Sequence, residues 1–179
     1  MCGRYDLNES PQMLMLYFML EAEPDPYSNP DVRPTNMAPI IRVHDGQHLA
    51  LPARWGLIPS WSKDDKIAQH TFNARAETIT EKPSFRAAFK RRRCLVLASG
   101  YYEWQATPEG KQPYFIRRGD GDPFAMAGLW ESWIETPGEP PIESCTVITT
   151  EAAPPLDRIH HRVPVVLPPT QLWASPTLA

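Results

Sequence analysis

The first strongly apolar segment lies near the amino end of the chain, where Ser10 and Pro11 precede the run QMLMLYFML. Serine followed by proline is a typical helix start, because the serine side chain caps the first turn and proline fits its first position. The run is apolar on nearly every side of a helical projection. We therefore predict a helix that is buried on most sides and that ends before Pro24.

A second helix is predicted from Pro83 to about Arg91 on an amphipathic pattern. Its apolar positions share one helical face: Phe85, Ala88 and Phe89. Its basic positions face solvent: Arg86, Lys90 and Arg91.

Period-two alternation, the pattern of a half-buried strand, follows a proline-rich stretch. Residues 23–39 carry five prolines with Asp and Asn between them, which predicts an extended, turn-laden loop. Alternation of Leu49, Leu51, Ala53 and Trp55 then predicts a strand that leads into a turn. Six further runs rich in aromatic and β-branched residues predict strands at 94–97, 101–104, 114–116, 124–129, 146–149 and 163–167. Turn signals at 108–110, 119–122 and 136–141 separate several of these runs.

These elements predict an α+β domain with an antiparallel β-sheet or barrel core and a few flanking helices. A chain of 179 residues is long enough to bury a core of its own, so we predict one domain over residues 1–179. Proline is the outlier in composition, with 21 residues, or about 12% against a usual 5% or so, which favours short strands and many loops.

The composition is that of an ordinary globular protein, with 42% hydrophobic and 22% charged residues. No apolar run approaches the roughly 20 residues of a membrane span, and no signal sequence opens the chain. We therefore expect a cytoplasmic protein, associated with the nucleoid if the source is bacterial. The net charge of −3 gives no overall attraction to nucleic acid, so any DNA binding requires local clusters of basic residues.

The three cysteines, Cys2, Cys94 and Cys145, are an odd number without CxxC spacing, which predicts reduced thiols and neither a disulfide framework nor a zinc ribbon. Cys94 and Cys145 lie in predicted apolar strands and are expected to be inert core thiols. His44 and His48 flank a predicted turn, and we predict no metal site there.

The second position of the chain is a candidate for chemistry. A small residue there allows methionine aminopeptidase to remove Met1, which leaves Cys2 as a 1,2-aminothiol. An α-amine with a pKa of about 7.7 to 8.0 forms a Schiff base with an aldehyde, and the adjacent thiol supplies a second nucleophile that closes a five-membered thiazolidine. Met-Cys alone is more often an ordinary start selected for translation or packing.

The segment HTFNARAET places Asn73, Arg75 and Glu77 at alternate positions, which puts all three side chains on one face if the segment is extended. Such a face suits either a site or a solvated strand. Glu103 lies in GYYEW among aromatic residues, where a carboxyl tends to have a raised pKa suited to proton transfer. A lone glutamate in a sheet is, however, more often simply exposed.

The segment IHHRVP carries His160, His161 and Arg162 before an apolar strand. One histidine is a candidate general acid or base, and Arg162 is a candidate phosphate ligand, although adjacent histidines are usually loop residues. Basic and aromatic residues interspersed along the chain are typical of single-strand binding: Arg4, Arg33, Arg54, Arg75, the run 90–93 and Arg162, with Trp55, Trp61 and Phe72. The run KRRR at 90–93 is equally typical of a solvated helix end.

Taken in this order, the segments resemble the SOS-response-associated peptidase (SRAP) family. The resemblance rests on blocks that run over nearly the whole chain: MCGRY at the start, the loop with Asn36, Met37, Ala38 and Pro39, RWGLIPSW at 54–61, FNARAET at 72–78, RRCLVLASGYYEW at 92–104, KQPYFI at 111–116, AGLW at 127–130 and IHHRVPVVL at 159–167. Members of this family continue past the last of these blocks, so the resemblance also implies that the domain is shortened at its carboxyl end.

The resemblance implies a role for each matching residue. Cys2 is the crosslinking residue, Asn73 orients an opened sugar, Glu103 handles protons at the amine and imine, and His160 assists sugar ring opening. The implied DNA contacts are Arg4, Asn36, Pro39, Trp61, Arg75 and Arg162, with the arginines on phosphates and Trp61 against a base.

The implied function is a covalent thiazolidine crosslink between Cys2 and abasic sites in single-stranded DNA, which shields them during repair and the SOS response. No cofactor and no metal are expected, and we expect a monomer. Two alternatives stay open: a Cys2-dependent peptidase whose minimal activity is self-removal of Met1, and a noncovalent single-strand binding module. Lyase-type chemistry through the Schiff base is a further implied activity.

Overall fold

The structure is a computed structural model, and it describes residues 2–168. The strands are β1 (Tyr5–Asn8), β2 (Ser28–Val32), β3 (Met37–His44), β4 (Gln47–Trp55), β5 (Asn73–Arg75), β6 (Arg93–Ala98), β7 (Gly100–Thr107), β8 (Gly110–Ile116), β9 (Phe124–Trp133), β10 (Ile142–Glu151), β11 (Arg162–Pro164) and β12 (Val166–Leu167). The helices are α1 (Pro11–Phe18) and α2 (Arg86–Arg91), and short 3-10 turns span Lys66–Gln69, Ala76–Thr78 and Leu156–Arg158. The predicted shortening of the carboxyl end lies outside the described residues.

Five strands close into a barrel, because β10 pairs with strands at both ends of the series. Neighbours pair in the order β10, β4, β3, β6 and β9, and β9 pairs back to β10. Most pairings are antiparallel, as predicted, whereas β10 runs parallel to β4 and to β5. The predicted α+β class with a β-sheet or barrel core is confirmed.

A second, four-stranded antiparallel sheet holds the amino end of the chain. Its strand order is β2, β1, β7, β8. Tyr5 of β1 lies opposite Tyr101 of β7, and the backbone N–H of Tyr102 donates to the Arg4 carbonyl at 2.9 Å. This pairing places the residues that precede β1 beside the strand that carries Glu103.

Helix α1 begins as predicted, with the Met13 N–H donating to the Ser10 hydroxyl at 3.1 Å. The prediction that it is buried on most sides is wrong. Only Leu14 and Phe18 of the helix are buried, while Leu16 is 72% exposed. The helix lies on the surface and packs along one stripe, so its other apolar residues remain in solvent.

Helix α2 begins at Arg86 and not at Pro83, because the residues before it form a turn in which the Arg86 N–H donates to the Lys82 carbonyl at 2.9 Å. Its apolar face packs as predicted, and the residues of that face are Phe85, Ala88 and Phe89.

The prediction of a loop over 23–39 is wrong where β2 and the start of β3 occupy it. Strand β2 lies at the edge of its sheet, where Pro30 leaves no interior hydrogen bond unmade. The pattern also missed β1, whose four residues are too few to stand out. The predicted strand at 163–167 divides into β11 and β12 at Val165, whose N–H donates to the Ile148 carbonyl at 2.9 Å.

The other predicted strands are confirmed with wider bounds. The turn between β3 and β4 has positive φ angles at Asp45 (50°) and Gly46 (78°), the conformation that a two-residue hairpin turn requires.

The main core joins the barrel, the four-stranded sheet and α1. At its centre the Trp55 indole N–H donates to the Phe72 carbonyl at 2.7 Å, and its ring meets that of Tyr5 edge-on at 5.1 Å. Cys94 and Cys145 are buried, as predicted for core thiols. Among residues 2–168, no helix is long and apolar enough to cross a membrane.

Candidate active site

Cys2 is held at the start of β1 by contacts from two directions. The residue is fully buried, and its thiol lies 3.9 Å from the Arg4 carbonyl, a weak hydrogen bond. From the barrel side, the Asn73 amide Nδ2 donates to the Cys2 carbonyl at 2.7 Å. The first and the seventy-third residues' worth of chain thus meet through a direct side-chain contact to the Cys2 backbone.

Asn73 reaches Cys2 because β5 is fixed against β10, where Asn73 lies opposite Val147. Ala74 is fully buried, so Asn73 and Arg75 point to the other face of the short strand. The predicted extension of this face to Glu77 is wrong, because the chain turns into a 3-10 segment at Ala76–Thr78.

Glu103 lies on β7 and is only 4% exposed. Its Oε1 accepts a hydrogen bond from the Trp104 N–H at 3.3 Å, and its Oε2 lies 3.9 Å from Nδ1 of His160. The predicted site residues Cys2, Asn73, Glu103 and His160 are therefore brought together from four separate parts of the chain, and we call them the Cys2 cluster.

His160 is oriented by the backbone of β11. The Arg162 N–H donates to His160 Nδ1 at 2.9 Å. A backbone N–H can only donate, so the neutral imidazole carries its proton on Nε2. Burial lowers the pKa of His160 below its ordinary value, against the opposing effect of the Glu103 charge. Near neutral pH, His160 thus offers a hydrogen-bond donor at Nε2.

The Cys2 thiol is hard to ionise in this state. Burial is the main cause, and the negative charge of Glu103 adds to it, so that the pKa of Cys2 is raised to about 12. The thiol is protonated at neutral pH, and its reaction as a nucleophile requires that a neighbouring group take the proton.

Arg162 is buried, with 6% of its surface exposed. Its terminal nitrogens donate to both carboxylate oxygens of Glu77, at 2.8 and 3.0 Å, and to the Thr149 carbonyl at 2.6 Å. The Arg162 guanidinium lowers the pKa of Glu77 to about 2. Sequence reasoning missed this pair, because no local pattern links residues 85 positions apart.

The other predicted DNA contacts lie at different distances from solvent. Arg75 is exposed and lines an open cavity of about 410 Å³ together with His161 and Arg162. Arg4 pairs with Asp31 at 3.1 Å and lies over the Trp104 ring, 5.6 Å from its centroid.

Trp61, 58% exposed, presents its ring to solvent. The Asn36 side chain accepts from the Arg33 N–H at 2.9 Å, and Pro39 is buried in β3 opposite Pro52. No hydrogen bond or ion pair within residues 2–168 joins Asn36 or Trp61 to the Cys2 cluster. The role of each of these residues stays a prediction.

Comparisons of sequence place the chain among known proteins. The sequence profile of the family described as SOS response associated peptidase (SRAP) matches residues 1–176. A Bacillus subtilis protein named abasic site processing protein YoqW is 42% identical over 174 residues, which cover 93% of this chain and 76% of that protein. A Gallus gallus protein named abasic site processing protein HMCES is 36% identical over 143 residues, which cover 68% of this chain and 43% of that protein.

Solved structures agree with the sequence comparison. A Bacteroides thetaiotaomicron protein superposes with a TM-score of 0.89 at 29% identity, covering 99% of this chain and 83% of its own. A Bordetella bronchiseptica protein superposes with a TM-score of 0.85, also at 29% identity, covering 99% of this chain and 90% of its own. By profile, by relatives and by fold, this chain belongs to the SOS response associated peptidase (SRAP) family.

Proposed function

We propose that the protein processes abasic sites by forming a covalent thiazolidine between Cys2 and the sugar aldehyde of single-stranded DNA. The observation that carries the proposal is the Cys2 cluster itself. An amide, a carboxyl and an imidazole surround the one residue of the chain that becomes a 1,2-aminothiol when Met1 is removed. The relatives named abasic site processing proteins supply the substrate class.

The first step is attack of the Cys2 amine on the aldehyde carbon C1′. Ring opening of the sugar precedes it, and the His160 Nε2–H donates a hydrogen bond to the ring oxygen as that oxygen takes up a proton from water. The amine then adds to C1′, and loss of one water gives the imine. Glu103 is placed to take the amine proton and to return it to the departing hydroxyl.

The second step closes the ring. The Cys2 sulfur bonds to C1′, the C=N double bond becomes single, and the nitrogen gains the proton that the thiol loses. Because the pKa of the thiol is raised to about 12, the proton leaves only as the C–S bond forms, and Glu103 is the nearby anion that accepts it. The net change is the loss of one water between protein and DNA.

Asn73 holds the nucleophile and leaves one polar atom for the sugar. Its Nδ2 donates to the Cys2 carbonyl, while its Oδ1 is buried and has no hydrogen-bond partner within residues 2–168. A buried acceptor without a partner is costly unless a ligand satisfies it. We assign this oxygen to a hydroxyl of the opened sugar.

Three arginines and one tryptophan complete the proposal. Arg4 and Arg75 contact phosphates, and Trp61 stacks on a neighbouring base. Arg162 has its terminal nitrogens engaged by Glu77 and Thr149, so it reaches a phosphate only by sharing one of them.

Intact mass after incubation with an abasic single-stranded oligonucleotide tests the proposal. The expected product has the mass of protein without Met1 plus oligonucleotide minus one water, and it survives denaturation. Cys2→Ala gives no such product although it binds the same strand. The noncovalent alternative predicts equal behaviour of both proteins, and an adduct of Cys2→Ala would place the linkage elsewhere.

A further inference from the structure

Three basic side chains stand together on the solvent face of α2. Arg86, Lys90 and Arg91 are exposed, and they line an open cavity of about 390 Å³ with Ala87 and the half-buried Arg92. We call Arg86, Lys90 and Arg91 the α2 basic patch.

Helix stability does not account for this patch. Lys90 and Arg91 lie in the last turn, where the helix dipole favours cations, but Arg86 is the first residue, where the dipole disfavours one. No acidic residue occupies the first turn. Arg86 and Lys90 are also four positions apart, the spacing at which like charges repel on a helix surface.

Ion pairing does not account for it either. Arg92 pairs with Glu131 at 2.7 Å, whereas Arg86, Lys90 and Arg91 form no ion pair with any residue in 2–168. The three charges therefore remain available to an external anion.

The helix presents these charges from a fixed base. Ala88 is buried, and the apolar side of α2 packs in a small cluster that includes Ala74 of β5. Since Asn73 and Arg75 point away from Ala74, the patch and the Cys2 cluster lie on opposite sides of β5. The patch is thus a separate surface and not a wall of the proposed crosslinking site.

We propose that the α2 basic patch binds the sugar-phosphate backbone of DNA outside the nucleotides that surround the abasic site. Three clustered cations on a polar surface match a row of phosphates, which need only point charges for binding. A protein partner would call for an apolar centre in the interface, and Ala87 is the one apolar residue that lines the cavity. The proposal rests on the proposed function for the choice of DNA, but the contact itself requires no abasic site.

The experiment measures affinity for undamaged DNA across a salt series. The triple variant Arg86→Ser, Lys90→Ser, Arg91→Ser is compared with wild type on a single strand and on a duplex. Each lost contact reduces the salt slope by about 0.7 for single strands and about 0.9 for duplex. We expect the slope to fall by about 2 or 3 respectively and the affinity at low salt to fall on the order of tenfold. The arm with the larger loss identifies the strand form that the patch holds.

Two control variants isolate the effect. Lys66→Ser, Lys111→Ser, Arg117→Ser removes the same charge from exposed residues elsewhere, and we expect a change of less than about twofold. Arg86→Lys, Arg91→Lys keeps the charges and should bind as wild type does. Equal slopes for wild type and the triple variant overturn the proposal, as does an equal loss in the charge-matched control.

Failure of this proposal is separable from failure of the proposed function. The rate of adduct formation at saturating abasic DNA should be the same for wild type and the triple variant. If wild type forms no adduct while its salt slope still exceeds that of the variant, the patch stands and the crosslinking chemistry does not.

Discussion

The Cys2 thiol and the Glu103 carboxyl act on each other's proton. The negative charge of Glu103 adds to burial in raising the pKa of Cys2, and the same carboxyl is the group placed to accept the thiol proton during ring closure. A residue that hinders ionisation of the free thiol thus assists the step in which the thiol reacts.

Glu103→Gln separates these two effects. A neutral amide removes the charge, so the thiol pKa should fall, but it also removes the proton acceptor. We expect adduct formation to slow on the order of 100-fold at neutral pH. Intact-mass kinetics measure the rate, and the protein mass before DNA is added reports Met1. Removal of Met1 in both proteins is expected; retention only in Glu103→Gln would support the autopeptidase alternative. An unchanged rate would remove Glu103 from the chemistry.

Cys2→Ser separates the imine from the ring. Serine also permits removal of Met1, but its oxygen closes the five-membered ring far less stably. The persisting imine acidifies the C2′ protons, so elimination of the 3′ phosphate becomes open to it. We expect a labile species that borohydride traps and slow nicking of abasic DNA, both read on denaturing gels. A heat-stable Cys2→Ser adduct without reduction would contradict thiazolidine formation.

Among the structural elements, β11 and the 3-10 turn after β5 are tied together by Arg162 and Glu77. The backbone N–H of Arg162 fixes the His160 ring, and its side chain is held in turn by Glu77 and Thr149. The position of the imidazole therefore depends on an ion pair formed by a residue of a different element.

Glu77→Gln tests this tie through its pH dependence. The folded state lowers the pKa of Glu77 from 4.5 to about 2, so the pair stabilises the fold fully above the unfolded value and loses that effect as the pH falls towards about 2. We expect Glu77→Gln to lower the Tm near neutral pH and to differ much less from wild type near pH 3 or so. Thermal unfolding at both pH values measures this, and an equal difference at both would exclude the ion pair as its source. Glu81→Gln, an exposed acid nearby, is the control.

Local signals carried the elements that could be predicted from the sequence. The Ser10 cap and the hairpin turn at Asp45 are determined by residues within a few positions, and both are confirmed. The exposure of Leu16 and the parallel pairing of β10 depend on which surfaces meet in the fold, and no short pattern contains that information. The Cys2 cluster was found because its residues match a family order, whereas the Glu77–Arg162 pair leaves no sequence signal.

On the scale of the whole molecule, a net charge of −3 is compatible with DNA binding only because basic residues are concentrated on particular surfaces. Arg75 and the α2 basic patch are two such surfaces, and the buried Ala74 lies between them. The two surfaces have no shared side chain and face different directions, so each is expected to hold its own phosphates.

Arg75→Ala, the triple variant of the α2 basic patch and their combination test this arrangement. Arg75→Ala should reduce the single-strand salt slope by about 0.7, because one phosphate contact is lost. Independent sites without shared partners have additive free energies, so the combined variant should lose the sum of the two changes in log Kd on a long single strand. On an oligonucleotide too short to reach both surfaces, only the Arg75 change should remain. Additivity that fails on the long strand would mean that both surfaces compete for the same phosphates, and the two-surface arrangement would be wrong.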